Sequence, residues 1–199
     1  MDRVPQLAFA IALSYAAGIW VAGYYLTRWR IGRDLRDLGS GSAGARNTAR
    51  LLGRRWGAIA FAWDFAKGAL AVLLAGHLFV DELVPGVAAV AVVLGHIWPA
   101  QLGFRGGKGV APAAGALFVW QPWVLAPMAI VYVLGRIVAC GVSRRALAAF
   151  GTGVASIPLL GMQPGDSLAC AAILTALIWT HREGFLPRKN SVIKAEVIK

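Results

Sequence analysis

Residues 4–27 read VPQLAFAIALSYAAGIWVAGYYLT, and this stretch decides the class of the fold. It carries no charge, and it is long enough to cross a bilayer, for which roughly 20 apolar residues suffice. A secretory signal peptide does not fit. The apolar run continues to Leu26 without a small-residue cleavage pattern and ends in the arginines that begin at Arg28. The stretch reads as a retained first spanning helix.

The rest of the chain repeats the pattern. Of 199 residues, 58% are hydrophobic and only 15% charged, where a soluble domain carries about a quarter charged residues. Mean hydropathy is +0.64. An ordinary soluble domain is thereby excluded, and there is room for about six or seven spans in one integral membrane domain over 1–199. Residues 56–80 form a second apolar stretch, interrupted by Asp64 and Lys67, and residues 83–104 a third that carries only His96. Residues 109–135 are uncharged but hold a turn at Trp120-Gln-Pro-Trp123, so two short spans or a re-entrant hairpin both fit. Residues 146–163 and 167–180 read as a last pair of spans around Pro164-Gly165-Asp166. The expected fold is an all-α bundle of about seven spans.

The net charge of +11 would suggest nucleic acid in a soluble protein. Here its distribution points to topology. Of the 20 Lys and Arg residues, all but Arg3 and Lys67 fall on one face when the spans alternate, and Asp81, Glu82 and Asp166 fall on the other. Positive residues gather on the cytoplasmic side. The N-terminus is therefore expected outside, the C-terminus inside, and the glycine-rich loops at the cytoplasmic surface. The cysteines, Cys140 and Cys170, lack metal-ligand spacing and read as ordinary buried thiols. Neither a metal nor a cofactor is called for.

Two loops on the basic face are suited to phosphate. The first is Gly39-Ser-Gly-Ser-Ala-Gly-Ala-Arg-Asn-Thr-Ala-Arg50. Glycine lets backbone N–H groups close around an anion. Ser40 and Asn47 offer donors, and Arg50 a bidentate fork. A flexible linker with topology-setting arginines has a similar composition. The second loop, Phe104-Arg-Gly-Gly-Lys-Gly-Val110, opens an apolar helix, with Lys108 as a point charge. It lacks the spacing of a Walker A loop. His96 precedes it in Gly95-His-Ile-Trp-Pro99 and reads as donor, base or packed interface residue. Asp64 and Lys67, three apart on one helical face, read as an ion pair that makes intramembrane charge tolerable, or as a lysine reaching the pocket. His181 and Arg182 end the last span at the level of both loops, where cations complement a helix C-terminus.

Together these motifs resemble the bacterial glycerol-3-phosphate acyltransferases that use acyl phosphate as donor. The first loop is similar to that family's Gly-Ser-Gly-Asn-x-Gly-x-Thr-Asn-x-x-Arg. Asp64, Lys67 and Gly68 match its Asp-x-x-Lys-Gly, and Gly95, His96 and Pro99 match its Gly-His-x-x-Pro. Residues 104–111 match its Phe-Lys-Gly-Gly-Lys-Gly-Val-Ala with Arg105 for lysine, and His181-Arg182-Glu183 match its last helix end. The resemblance implies acyl transfer from acyl phosphate to the 1-hydroxyl of glycerol 3-phosphate, giving lysophosphatidic acid for phospholipid synthesis in the bacterial inner membrane. It implies direct transfer, in which a substrate phosphate accepts the hydroxyl proton. No catalytic triad is visible, so no acyl-enzyme is suggested. The implied sites are Ser40, Asn47, Arg50 and His181 on the acceptor phosphate, with Arg46 as a substitute ligand. Gly106, Gly107, Lys108 and Gly109 hold the donor phosphate, and His96 lies near the reacting carbonyl. The partners are the two substrates and membrane lipid, not nucleic acid.

The sequence departs from the family at Ser42 for asparagine, Arg46 for threonine, Pro112 for threonine and Gly184 for asparagine, and residues 136–142 lose the family's hydroxyls. These losses leave open a divergent member that acylates another acceptor or only binds lipid phosphate. A small transporter is the remaining alternative, against which the polar motifs lie at one surface.

Overall fold

The computed structural model describes residues 3–138 and 141–185. Cys140 and the basic tail beyond residue 185 lie outside them. The described residues form nine α-helices joined by short 3-10 turns, with no strand among them. The helices are α1 (Arg3–Gly18), α2 (Ala22–Ile31), α3 (Ala45–Leu52), α4 (Arg54–Leu78), α5 (Val84–Ile97), α6 (Val110–Trp120), α7 (Pro122–Leu134), α8 (Val142–Ser156) and α9 (Pro164–Thr180).

The outer surface explains the composition. Phe9, Leu70, Phe118 and Ile130 each expose about half or more of their surface, an arrangement suited to lipid and ruinous in water. Inside, Val92 and Val93 of α5, Leu117 of α6, Val124 of α7, Phe150 of α8 and Leu174 of α9 meet in one core. Where helices lie in lipid, such contacts act through close packing more than through removal from water. Small residues set the approach. A Cβ on Gly68 of α4 would strike the backbone of Pro112 in α6, and one on Gly115 would strike the Phe65 carbonyl. α1 meets α5 in the same way at Gly18 and Gly95.

Three stretches are long and apolar enough to cross a membrane: Arg3–Ile31, Arg54–Leu78 and Val84–Leu102. α6, α7 and α9 are shorter apolar helices. The turn between α6 and α7 sits against Gly86 near the start of α5 through Trp120, and Gln121 donates to Asp166 in the first turn of α9 at 2.9 Å. The α6–α7 turn therefore lies at the same end of the bundle as the start of α5 and the first turn of α9. At that same end Arg3 pairs with Asp81 at 2.7 Å.

Two boundaries differ from the sequence reading. The first span is broken: α1 stops at Gly18, and α2 starts at Ala22. Pro164-Gly165-Asp166 is the first turn of α9, not a turn before it. Proline at the first helical position loses an amide that had no partner anyway, and Asp166 complements the positive helix end.

Candidate active site

The site end of the bundle begins at the break in the first span. A gap in a helix frees carbonyls on one side and amides on the other, and lipid offers neither a partner. The ion pair of α4 supplies both. Lys67 Nζ donates to the carbonyls of Gly18 and Trp20 at 2.8 Å each. Asp64 Oδ1 accepts from the Ala22 amide at 3.4 Å and lies 2.9 Å from Lys67 Nζ. The cation faces the carbonyl end of α1 and the anion the amide end of α2, each matching the helix dipole it meets. Both side chains are buried. A broken helix with charges at depth is also how transporters build substrate sites, but here the charges are taken up by the break itself.

Loop 1, residues 34–44, is wound around one side chain. Asn47 is 1% exposed. Its Nδ2 lies within 3.1 Å of the carbonyls of Leu35, Leu38 and Ser42, and its Oδ1 accepts from the Ser40 amide at 2.9 Å. The amide is spent inside the loop and leaves nothing for a ligand. Ser40, Arg46 and Arg50 are exposed. The two arginines stand four apart in α3 and so share a face.

Loop 2, residues 98–109, is held by its backbone. The amides of Gly106 and Gly107 donate to the carbonyls of Ile97 and His96 at 3.0 Å each, which folds the loop back on the end of α5. His96 is 2% exposed. Its Nδ1 is 3.1 Å from Lys67 Nζ, and its Nε2 lies directly under Gly107, where a Cβ would overlap it. The amides open to an anion stand one step later. Gly109 takes φ +81° as it opens α6. Among the described residues the amides of Lys108, Gly109, Val110 and Ala111 have no backbone acceptor. This is a concave amide nest at a helix start, a natural anion site.

The two loops and the end of α9 are stitched together. Ala43 donates to the Gly106 carbonyl at 3.3 Å, and Thr180 Oγ1 to the Lys108 carbonyl at 3.0 Å. Arg36 donates to the carbonyls of Leu102 and Arg105 while Asp34 grips its other side at 2.7 Å. That hydrogen-bonded guanidinium holds the Asp34 carboxyl below its ordinary value. Lys108 pairs with Glu183. His181, just past α9, is 6% exposed and edge-on to Phe150. Burial lowers its pKa, with the charges of Lys108 and Arg46 adding to the effect, which favours the neutral ring. His181 Nδ1 is 2.9 Å from the Leu177 carbonyl. A neutral ring there carries its proton on Nδ1 and presents Nε2 as an acceptor.

Of the residues read from sequence, Lys108, Gly109, His181 and Arg46 converge at one end of the bundle. Ser40 and Arg50 lie on the exposed side of loop 1 and α3. Asn47, Gly106 and Gly107 lie beneath that surface with their donors engaged, and His96 lies below them with its Nδ1 on Lys67. Arg36, Asp34 and Thr180 escaped the sequence reading. Arg36 is one of eight arginines between residues 28 and 55, and nothing local marks it out.

The glycerol-3-phosphate acyltransferase family profile matches residues 8–186. A glycerol-3-phosphate acyltransferase of Myxococcus xanthus is 40% identical over 177 residues, covering 88% of this chain and 92% of that protein. One from Clostridioides difficile is 37% identical, covering 85% of each. The crystal structure of PlsY (YgiH), an integral membrane glycerol 3-phosphate acyltransferase, in its glycerol 3-phosphate form superimposes with a TM-score of 0.81 at 32% identity, over 90% of both chains. The lysophosphatidic acid form of PlsY gives 0.78 at 30% identity, over 90% of this chain and 89% of that one.

Proposed function

The chain belongs to the glycerol-3-phosphate acyltransferase family, and we propose that it draws its acyl group from acyl phosphate. It is an integral membrane acyltransferase that converts glycerol 3-phosphate to lysophosphatidic acid. The stitching of loop 1 to loop 2 through Ala43 and Gly106, and of loop 2 to the end of α9 through Lys108 and Thr180, carries the reading. It sets Arg46 and Arg50 of α3, the unpaired amides at the start of α6 and His181 at one end of the bundle, and two phosphate-bearing substrates need two anion sites side by side.

In this reading the donor phosphate rests on the amides of Lys108 to Ala111, with Lys108 as counter-charge. The acceptor phosphate lies toward Arg46, Arg50 and Ser40. His181 Nε2 accepts a hydrogen bond from the glycerol 1-hydroxyl and orients it. The hydroxyl oxygen attacks the acyl carbonyl, the bond from that carbon to the phosphate oxygen breaks, and the departing phosphate takes the hydroxyl proton. No acyl-enzyme forms. The protein contributes positioning and electrostatic stabilisation of the developing oxyanion. The acyl chain lies in the apolar cleft between α1 and α4, a cavity of about 240 Å³ lined by Ala10, Leu13, Leu70, Leu74 and Phe79.

The chain is one domain of seven crossings, counting α1 and α2 as one. It lies in the bacterial inner membrane with the site facing the cytoplasm, where the basic loops stay. Purified protein supplied with acyl phosphate and labelled glycerol 3-phosphate tests the chemistry. Lysophosphatidic acid and inorganic phosphate are expected in equal amounts. Turnover with another acyl donor, and none with acyl phosphate, removes the donor assignment. Membrane-impermeant labelling of Glu82→Cys tests the orientation: reaction from the cytoplasmic side overturns it.

A further inference from the structure

A polar column runs through the middle of the bundle, and the proposed reaction gives it no chemical step, although Lys67 lines one end of the acyl cleft. It starts at the carbonyls of Gly18 and Trp20, passes through Lys67 to His96 Nδ1, and ends where His96 Nε2 supports Gly107. Asp64 braces it from the side, taking the Ala22 amide and the lysine. Its upper end is fixed to both loops. Gly107 donates back to the His96 carbonyl, and Gly106 accepts from Ala43 of loop 1.

We propose that Asp64, Lys67 and His96 are positioning residues that lock the break in the first span to the height of the two phosphate loops. Lys67 selects between the two reasons for placing an ion pair in a membrane. A pair serving only to cancel charge needs no third partner. This lysine makes two carbonyl contacts and reaches a histidine 29 positions away in sequence, so its geometry is fully determined. His96 is nearly fully buried, with one nitrogen on Lys67 and the other under Gly107. Both nitrogens face protein groups, Lys67 on one side and the backbone of Gly107 on the other, so in this proposal the ring acts through the loop above it. If the column shortens or tilts, Gly107 follows, and Gly106 carries the change to loop 1. Both anion sites then move together. An error of about 1 Å in such groups costs on the order of 100-fold in catalysis.

The inference rests on the substrate assignment above, and its test separates the two. The variant is Asp64→Asn/Lys67→Met in the full-length protein, in the same membrane mimetic as wild type. Removing both charges leaves no uncompensated ion, so the double variant folds where a single one fails. The KM values for acyl phosphate and glycerol 3-phosphate are expected to rise together, on the order of tenfold, and trypsin is expected to cut after exposed Arg105 several times faster. Both KM values within about twofold of wild type overturn the proposal, because charge cancellation alone then explains the pair. His96→Asn, which leaves the ion pair intact, is the second variant and is expected to raise both KM values. A loss in kcat with both KM values unchanged makes His96 a catalytic residue and overturns its place in the column. Wild-type protein inactive with acyl phosphate removes only the donor assignment, because cleavage at Arg105 still reads the column.

Discussion

Loops 1 and 2 have similar sequences and opposite construction. Both are glycine-rich and basic, and both suggest a phosphate cradle. Loop 1 is organised by a side chain: the Asn47 amide reaches three carbonyls and one amide, and the loop folds around it. Loop 2 is organised by its own backbone, with Gly106 and Gly107 bonded to the last carbonyls of α5 and a histidine ring filling the space beneath. Many polar and glycine residues of the two motifs thus spend their hydrogen bonds on building the loop. The groups left over once the loop's own bonds are counted are the candidates for a ligand: exposed side chains in loop 1, and the amides after Gly107 in loop 2.

This contrast is most exposed at Asn47. Asn47→Ala leaves three carbonyls, one buried and two half-buried, without their shared partner. At about 1 kcal/mol net per hydrogen bond, the cost is about 3–4 kcal/mol. Loop 1 is expected to lose its shape, with activity falling more than 100-fold and thermal unfolding in detergent shifted down. Activity within tenfold of wild type breaks the contrast and returns Asn47 to the surface. Lys108→Ala comes next. It removes one charged donor and its exposed pair with Glu183 but no backbone bond that shapes loop 2, and is expected to cost about 2–3 kcal/mol in the transition state, roughly 30- to 150-fold in rate. The unfolding temperature is expected to stay nearly unchanged. Activity within threefold of wild type takes Lys108 out of the site.

Arg46→Thr is a smaller change. Arg46 is exposed, so a charge-assisted bond to phosphate is reduced by solvent to about 1 kcal/mol, and the glycerol 3-phosphate KM is expected to rise about fivefold. A lower KM or a faster rate shows instead that the arginine obstructs the acceptor. The smallest effect concerns Asp34, whose carboxyl is held below its ordinary value of 3.8 by Arg36, with Arg105 adding a weaker pull. A depressed carboxylate stabilises the fold above its unfolded pKa and loses that contribution as pH falls through the folded value. Stability is expected to be flat near neutrality and to decline below about pH 4, with Asp34→Asn reducing that decline by less than about 1 kcal/mol.

The helical bundle and the polar loops at one end of it were legible in the sequence because each left a local mark: uncharged runs, basic clusters, glycines before an apolar helix. The break at residues 18–21 left none. Gly18-Ile-Trp-Val21 is as apolar as its flanks. The only trace of it lies more than 40 residues away, in two charges within α4 that require partners. The ion pair was readable and the groups it serves were not, because they are backbone atoms. The same limit applies to His96. Sequence places it beside loop 2, and only the fold shows that it lies under the loop. α3 was hidden for another reason, since eight residues with arginine at 46 and 50 inside a basic stretch read as loop.

α6 and α7 have 11 and 13 residues, which at ~1.5 Å each gives about 16 and 20 Å. The hydrocarbon slab is about 30 Å thick. If the pair crosses as proposed, a bilayer beside it has to thin, and headgroups and water sink toward the protein, at a modest elastic cost. The substrates of the reaction differ in kind: one is freely soluble, one carries an acyl tail, and the product is a lipid with a large polar head. Along a thinned wall, the distance such a product travels from the site to the leaflet shrinks with the slab. By the same mismatch, a membrane of thinner hydrocarbon core accommodates the protein at lower cost than a thick one.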